Sequence, residues 1–308
     1  MTVFLALSCL PSIVLLSYIY KKDKADKEPF GLLLTLFVLG ALVCFPVAFI
    51  ESVMENINPF AQGSLLYNVF SNFLGVALIE EGGKFIVLYL VTHKNKNFNC
   101  LFDGVIYSVV TSLGFATLEN ILYVAQYGFA TAVIRAVTAV PGHMFFGVLM
   151  GCFYTMWHLG KSLTDTEKQY HSLGYIDEPV KDKNSIAYKS QLLSALTAPV
   201  LVHGMYDLLA TYSGVVAIIL FIVLLVSLYI YCFGKVKKIS GQDNTEANII
   251  AGILNKRYPY LYPRIAQAMQ RQRMQYNPFS QRSYNPYSAQ NDYSYSYNPS
   301  DNSGVKEN

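Results

Sequence analysis

Residues 214–233 read Gly-Val-Val-Ala-Ile-Ile-Leu-Phe-Ile-Val-Leu-Leu-Val-Ser-Leu-Tyr-Ile-Tyr-Cys-Phe, with no charged side chain. A helix rises about 1.5 Å per residue, so a run of this length crosses the roughly 30 Å hydrocarbon core of a bilayer. Six more apolar windows lie upstream, at 3–20, 30–50, 66–92, 105–126, 132–158 and 191–211. The 308 residues are 53% hydrophobic and 14% charged, with a mean hydropathy of +0.31. Soluble domains carry about a quarter charged residues, so a soluble globular enzyme is excluded. A net charge of +3 spread over loops makes no basic face, which excludes a nucleic-acid binder. The expected fold is an all-α polytopic membrane bundle of about seven transmembrane helices over residues 1–238, followed by a tail over 239–308.

The loops sort by charge. Lys21, Lys22, Lys24 and Lys27 follow the first window, Lys94 and Lys96 the third, Lys161, Lys168, Lys181, Lys183 and Lys189 the fifth, and Lys235, Lys237 and Lys238 the seventh. The loops 51–65, 127–131 and 212–213 contain no lysine or arginine. Cytoplasmic loops concentrate these residues, so the N-terminus is expected outside and the C-terminus in the cytoplasm of a cell-membrane protein. Arg135 is the one cation on the opposite side, and both snorkelling to the interface and a role in a site are open to it. The first window lacks a basic leader and a small-x-small cleavage pattern, and it reads as a retained helix. Cys9, Cys44, Cys100, Cys152 and Cys232 are scattered with no C-x-x-C pair, as packing residues are. In the tail, residues 245–275 suggest a short amphipathic helix. Tyr276-Asn277-Pro278-Phe279-Ser280 recurs as Tyr284-Asn285-Pro286-Tyr287-Ser288 in a low-complexity segment expected to be disordered.

Deep ionisable residues fall in the third to sixth windows: Glu80, Glu81 and Lys84, then Glu119, His143, and His203 with Asp207. An ionised group at mid-bilayer costs at least a few kcal/mol, so each needs a partner or an aqueous cavity. The first, second and seventh windows carry none and are expected to form a lipid-facing sheath around a four-helix polar core. Glu80 and Lys84 are four apart and can pair along a helix, as can His203 and Asp207, where the carboxylate would fix the imidazole tautomer. His143 has no carboxylate three or four positions away. Its partner is therefore expected from another helix, among Glu80, Glu81 and Glu119. Gly75, Gly82, Gly83, Gly142, Gly147, Gly151 and Gly204 offer close backbone approach, and Pro141 and Pro199 each free a carbonyl about a turn upstream. Two carboxylates beside two histidines in a dry site suit general acid–base chemistry on water, with histidine holding an oxyanion or a metal.

Four blocks resemble the PrsW family of intramembrane proteases, distant relatives of the CAAX prenyl endopeptidases. Glu80-Glu81-Gly82-Gly83-Lys84 resembles the family's E-E-x-x-K, and Gly114 to Asn120 its G-F-A-x-x-E-N. Pro141-Gly142-His143 resembles its histidine block, and His203-Gly204-Met205-Tyr206-Asp207 its H-G-x-Y-D. The resemblance covers about residues 30–235. It implies a glutamic-type endopeptidase that cuts a membrane-anchored protein near the extracytoplasmic face, an anti-sigma factor in the best-known case. By resemblance Glu80, Glu81, Glu119, His143 and His203 form the site, Asp207 orients His203, and Lys84 and Asn120 support it. The motif does not say whether Glu80 or Glu81 meets water. The set lacks the H-E-x-x-H spacing of zincins, so no cofactor is expected and metal-independent water activation is preferred, with a metal ion as the alternative. A proton relay in a transporter and a catalytically silent scaffold remain the other function classes, although no internal repeat supports a transporter.

The lysine alternation predicts that a C-terminal reporter enzyme active only outside the cell stays silent. Activity from such a fusion would reverse the assigned orientation.

Overall fold

The structure is a computed structural model that describes residues 2–178 and 183–275. The repeats from Tyr276 onward lie outside the described residues. The chain divides into two units, Met1–Pro259 and Tyr260–Asn308. All described elements are helical, with no strand among them.

In the first unit, α1 spans Thr2–Lys22, α2 Phe30–Leu42 and α3 Cys44–Asn56. The break at Val43 has a cause in Pro46, which lacks an N–H and whose ring crowds the Leu42 carbonyl four residues back. A short helix α4 (Leu65–Val69) opens into a π-helical stretch, Phe70–Ala77, which continues as α5 (Leu78–Thr92). Next come α6 (Asp103–Tyr127), α7 (Phe129–Val137) and α8 (Ala139–Ser172). The α7–α8 break at Thr138 precedes Pro141, and the freed Val137 carbonyl accepts a hydrogen bond from the Tyr229 hydroxyl at 2.9 Å. Helices α9 (Lys183–Thr211), α10 (Val215–Gly241) and α11 (Glu246–Arg257) complete the unit.

Among the described residues, five helical segments are long and apolar enough to cross a membrane: Phe30–Asn56, Asp103–Tyr127, Phe129–Ser172, Tyr188–Thr211 and Val215–Gly241. The protein is a multi-pass membrane protein, but α1 and the stretch 65–92 are not among these five, so seven spans are not established. The stretch 65–92 carries Glu80, Glu81 and Lys84 near its middle, which lowers its hydropathy. A second correction concerns the 30–50 window. Its helix runs on to Asn56 and therefore includes Glu51 and Glu55, so this span is not free of ionisable groups.

Helix α6 is the axis of the bundle, buried on nearly every face, and α1, α2 and α8 pack on it. Small residues set the spacing. A Cβ on Gly114 would overlap the Phe37 carbonyl oxygen, and one on Gly40 would overlap that of Thr111, so α2 and α6 touch backbone to backbone. On the α8 side, Gly151 meets Gly104 and Ser108, and the Ser108 hydroxyl donates to the Gly147 carbonyl at 2.7 Å. The sheath expectation thus fits α10, whose apolar window is 11% buried, but α1 and α2 grip the axis directly. Of the glycines singled out above, Gly83, Gly147, Gly151 and Gly204 sit in tight contacts, while Gly82 faces open space among the described residues.

At the lysine-rich end, loops tie the helices together. Asp103 accepts from the Asn99 and Cys100 amides, both at 2.7 Å, and Asp243 from the Phe102 amide at 3.1 Å. Tyr107 donates to Glu28, whose carboxyl is pushed up to about 7 by burial. Residues 239–259 stay with this unit: the Glu246 amide donates to the Asn99 carbonyl at 2.6 Å, and Arg257 pairs with Glu167 at 2.7 Å. In the second unit the described helix is α12 (Leu261–Gln275).

Gly114→Ala is expected to cost about 1–3 kcal/mol by overpacking, seen as a lowered Tm in detergent. Gly31→Ala, with no described atom within 4 Å of its Cβ position, should stay within about 0.5 kcal/mol of the parent. Equal Tm values for the two variants would contradict the α2–α6 contact.

Candidate active site

The deep ionisable residues meet. Lys84, fully buried, lies on α5 between its neighbours: its Nζ is 3.0 Å from Glu80 Oε2 and 2.8 Å from Glu81 Oε1. Its third contact crosses to α8, where His143 Nδ1 is 3.0 Å away. An ammonium has three N–H donors and no acceptor, so these three contacts use all of its hydrogens. His143 Nδ1 must then accept, which leaves the proton on Nε2. That nitrogen donates to Glu119 Oε2 on α6 at 2.8 Å. The cross-helix partner expected for His143 is therefore Glu119, with Glu80 Oε2 farther off at 3.9 Å from Nδ1.

His203 on α9 completes the group. Its Nδ1 is 3.0 Å from Glu81 Oε1 and its Nε2 is 3.2 Å from Asp207 Oδ2. With a carboxylate on each nitrogen, both can donate, as in an imidazolium. The His143 and His203 rings stand edge to face with centroids 5.5 Å apart. Phe146 stacks on His203 at 4.5 Å, and the Phe115 ring lies 4.2 Å from Lys84 Nζ, so aromatic faces wall the centre. Gly204 lets α9 approach the π-helical stretch, because a Cβ there would lie 2.5 Å from the Phe73 ring. That stretch is the wide-pitched segment directly before Glu80. Such irregular helix is common at functional sites.

Arg135 belongs to the centre. Its Nη2 pairs with Glu119 Oε2 at 2.8 Å, its Nε donates to Asn120 Oδ1 at 3.0 Å, and its guanidinium lies 4.0 Å from the Tyr123 ring centroid. Asn120 in turn donates to the Ser8 carbonyl on α1 at 2.9 Å. The structure thus brings together Glu80, Glu81, Lys84, Glu119, His143, His203 and Asp207, and places Asn120 one contact outward. Of the other histidines, His93 stacks on Tyr89 and His158 pairs with Glu246, both away from the centre. Sequence reading missed Glu51, which ends up within electrostatic range of Glu80, Glu119, Lys84 and His203. The signal available was its position one residue beyond the apolar window.

Glu80, Glu81 and His203 can each bring one ligand atom within 4.8 Å of the other two. Glu81 Oε2 is buried with no hydrogen-bond partner among the described residues. This donor set is one a divalent metal could use.

Replacing Lys84 by Met leaves two buried carboxylates without their counter-charge, and loss of one partner from a buried ion pair costs about 3–5 kcal/mol. The expected outcome is a large drop in Tm in detergent, with partial recovery when Glu80→Gln and Glu81→Gln are added. Unchanged stability of Lys84→Met would show that the ammonium does not balance the pair.

Residues 28–232 match the family model described as PrsW family intramembrane metalloprotease. The chain is 36% identical over 197 residues to Protease PrsW of Geobacillus kaustophilus, covering 64% of this chain and 75% of that one. Identity to Protease PrsW of Bacillus subtilis is also 36%, over 201 residues, 65% of this chain and 79% of the relative. For Protease PrsW of Clostridioides difficile it is 29% over 236 residues, 75% and 89% of the two chains. No solved structure matches. With a family model matching most of the chain and relatives this similar, this multi-pass membrane protein belongs to the PrsW family of membrane proteases.

Proposed function

We propose that the protein is an intramembrane endopeptidase that hydrolyses a peptide bond of a membrane-anchored protein, an anti-sigma-factor-like substrate by resemblance, on the lysine-free side. The reading includes seven spans, with α1 and the stretch 65–92 crossing beside the five apolar segments, the N-terminus outside and the C-terminus in the cytoplasm. The observation that carries it is the convergence of Glu80, Glu81, Glu119, His143 and His203 around one buried ammonium.

Glu80 is the better base of the glutamate pair. Glu81 is fully buried, and its Oε1 is held by both Lys84 and His203, whereas Glu80 keeps 5% exposure and engages Lys84 through Oε2 alone. Three cations (Lys84, Arg135 and His203) face four carboxylates (Glu80, Glu81, Glu119 and Asp207). One carboxylate is thus left without a cation of its own, and in low dielectric it is the one that gains most by accepting a proton during the reaction. In this reading Glu80 takes the proton of the attacking water and later delivers it to the leaving amine. Imidazolium His203 and Lys84 supply positive charge near the developing oxyanion. Glu119 and Arg135 hold His143 in its Nε2-protonated form, and Asp207 orients His203.

The family description implies a metal ion, and the residues fit one: Glu80, Glu81 and His203 would hold it, sharing both carboxylates with Lys84. A bound divalent ion supplies Lewis-acid polarisation and a more acidic water. With an ion bound, His203 would be neutral and would give up its donation to one of its two carboxylates, whereas the contacts of Lys84 to His143 and of His143 to Glu119 would be kept.

Purified protein in proteoliposomes with a membrane-anchored reporter tests the reading. Glu80→Gln should lose roughly a hundred- to ten-thousandfold in turnover, the range for removing a general base, with the protein still folded and inserted. Glu81→Gln should also lose turnover, through displaced Lys84 and His203. Retained cleavage by the double variant would remove glutamate-based chemistry.

A further inference from the structure

A polar cleft of about 450 Å³ opens between α3, the π-helical stretch and the end of α9, at the lysine-free end of the bundle. Glu51, Glu55, Ser71, Asn72, Gly75 and Thr211 contribute to its lining. Its walls are tied across helices: Asn72 donates to Thr211 Oγ1 at 3.3 Å, Asn58 to Ser71 Oγ at 3.0 Å, and Asn68 to the Tyr212 hydroxyl at 3.0 Å.

Helix contacts fix how the cleft meets the centre. A Cβ on Gly83 would lie 2.8 Å from Val47, and one on Gly75 would lie 3.9 Å from Met54, so α3 runs antiparallel to the segment 75–83. Glu51, between Val47 and Met54, is therefore level with Leu78–Glu80. One side of the cleft is thus the helix that carries the glutamate pair. Glu51 Oε1 is buried and has no hydrogen-bond partner among the described residues. Glu55, one turn further out, is exposed, and the described lining contains no lysine or arginine. A buried carboxyl oxygen without a hydrogen-bond partner can accept one from a donor that enters the cleft, and a cationic donor there favours the ionised carboxylate. At the inner end of a peptide-sized polar cleft whose described lining holds no lysine or arginine, this oxygen is placed to receive a cationic donor from outside the chain.

We propose that this cleft seats the juxtamembrane segment of the substrate on the lysine-free side, with a lysine or arginine side chain of that segment paired to Glu51 and its backbone laid along the Asn72 and Ser71 wall. The proposal rests on the protease reading. It makes Glu51 a specificity-determining residue that selects substrates with a basic residue beside the scissile bond. The preference is selective because lysine and arginine are sparse on the outer side of membrane proteins.

The test uses full-length protein in proteoliposomes and single-span reporters that differ at one juxtamembrane position, bearing Lys, Gln or Glu. The parent protein is expected to cleave the Lys reporter about tenfold faster than the Gln reporter, the worth of one charge-assisted hydrogen bond. Glu51→Gln should erase the difference through KM, and Glu51→Lys should shift the preference to the Glu reporter. In parallel, Ser71→Cys in a Glu80→Gln background, with a cysteine next to the variable position of the reporter, reads docking without chemistry. More disulfide capture of the Lys reporter than of the Glu reporter is expected. Cleavage that ignores reporter charge, with equal capture, overturns the cleft assignment and leaves the protease reading standing. Charge-selective capture without cleavage of any reporter by the parent protein keeps the cleft and defeats the protease reading. No capture and no cleavage overturns both.

Discussion

The buried Lys84 ammonium is the contact on which the rest of the centre depends. It has three hydrogens and three acceptors, two on its own helix and one on α8. Glu80 and Glu81 are adjacent in sequence, and two carboxylates this close and this buried repel strongly unless a cation sits between them. The spacing of Lys84, three and four residues on, supplies that cation from the same helix. Its third hydrogen then decides the state of His143, and through it the bond to Glu119. The result is a row that runs Arg135, Glu119, His143, Lys84, Glu81, His203, Asp207, with one hydrogen bond or ion pair at each step. It crosses α7, α6, α8, α5 and α9, so five helices are registered by one ionic chain.

Charge alone would not hold such a row inside a membrane. Lipid tails give helices little hydrophobic reason to associate, and close packing has to supply the difference. Gly40 and Gly114 on one side of α6, and Gly147 and Gly151 on the other, let backbones meet where any side chain would push them apart. Glu119 on α6 and His143 on α8 therefore reach each other at 2.8 Å from helices that are already fixed. The polar centre orients the helices, and the glycine contacts bring them near enough for it to form.

The site was more legible in the sequence than its surroundings. Glu80–Lys84 and His203–Asp207 follow from four-residue spacing, and the cross-helix partner of His143 is narrowed to three glutamates, of which the structure brings Glu119 to it. Arg135 was visible as the cation on the wrong side of a charge alternation, but nothing local could say that Glu119, sixteen positions earlier in number, would face it. Glu51 was lost to an edge effect: hydropathy ends a span where charge begins, whereas hydrogen bonding carries the helix on to Asn56. The π-helical stretch had no pattern to find, since its residues are as apolar as those of an ordinary turn. The α2–α6 contact was also illegible, because Gly40 and Gly114 differ from open glycines such as Gly82 only in what lies opposite.

Exposure along the ionic row is uneven, and the unevenness sets the direction of access. The middle is sealed, with Lys84 and Glu81 at 0%, while the side chains of Glu119 and Asp207 at its acidic flanks keep 15% and 24%. Phe115 and Phe146 cover the sealed part. Glu80, at 5%, lies on the boundary between the two regimes. Non-standard helix geometry is tolerated at membrane depth where it lines a cavity, and the π-helical stretch leads straight into Glu80 from the cleft side. In the proposed mechanism, water reaching Glu80 comes along the lysine-free side, past Glu51, and meets the carboxylate of the pair that contacts Lys84 through one oxygen only.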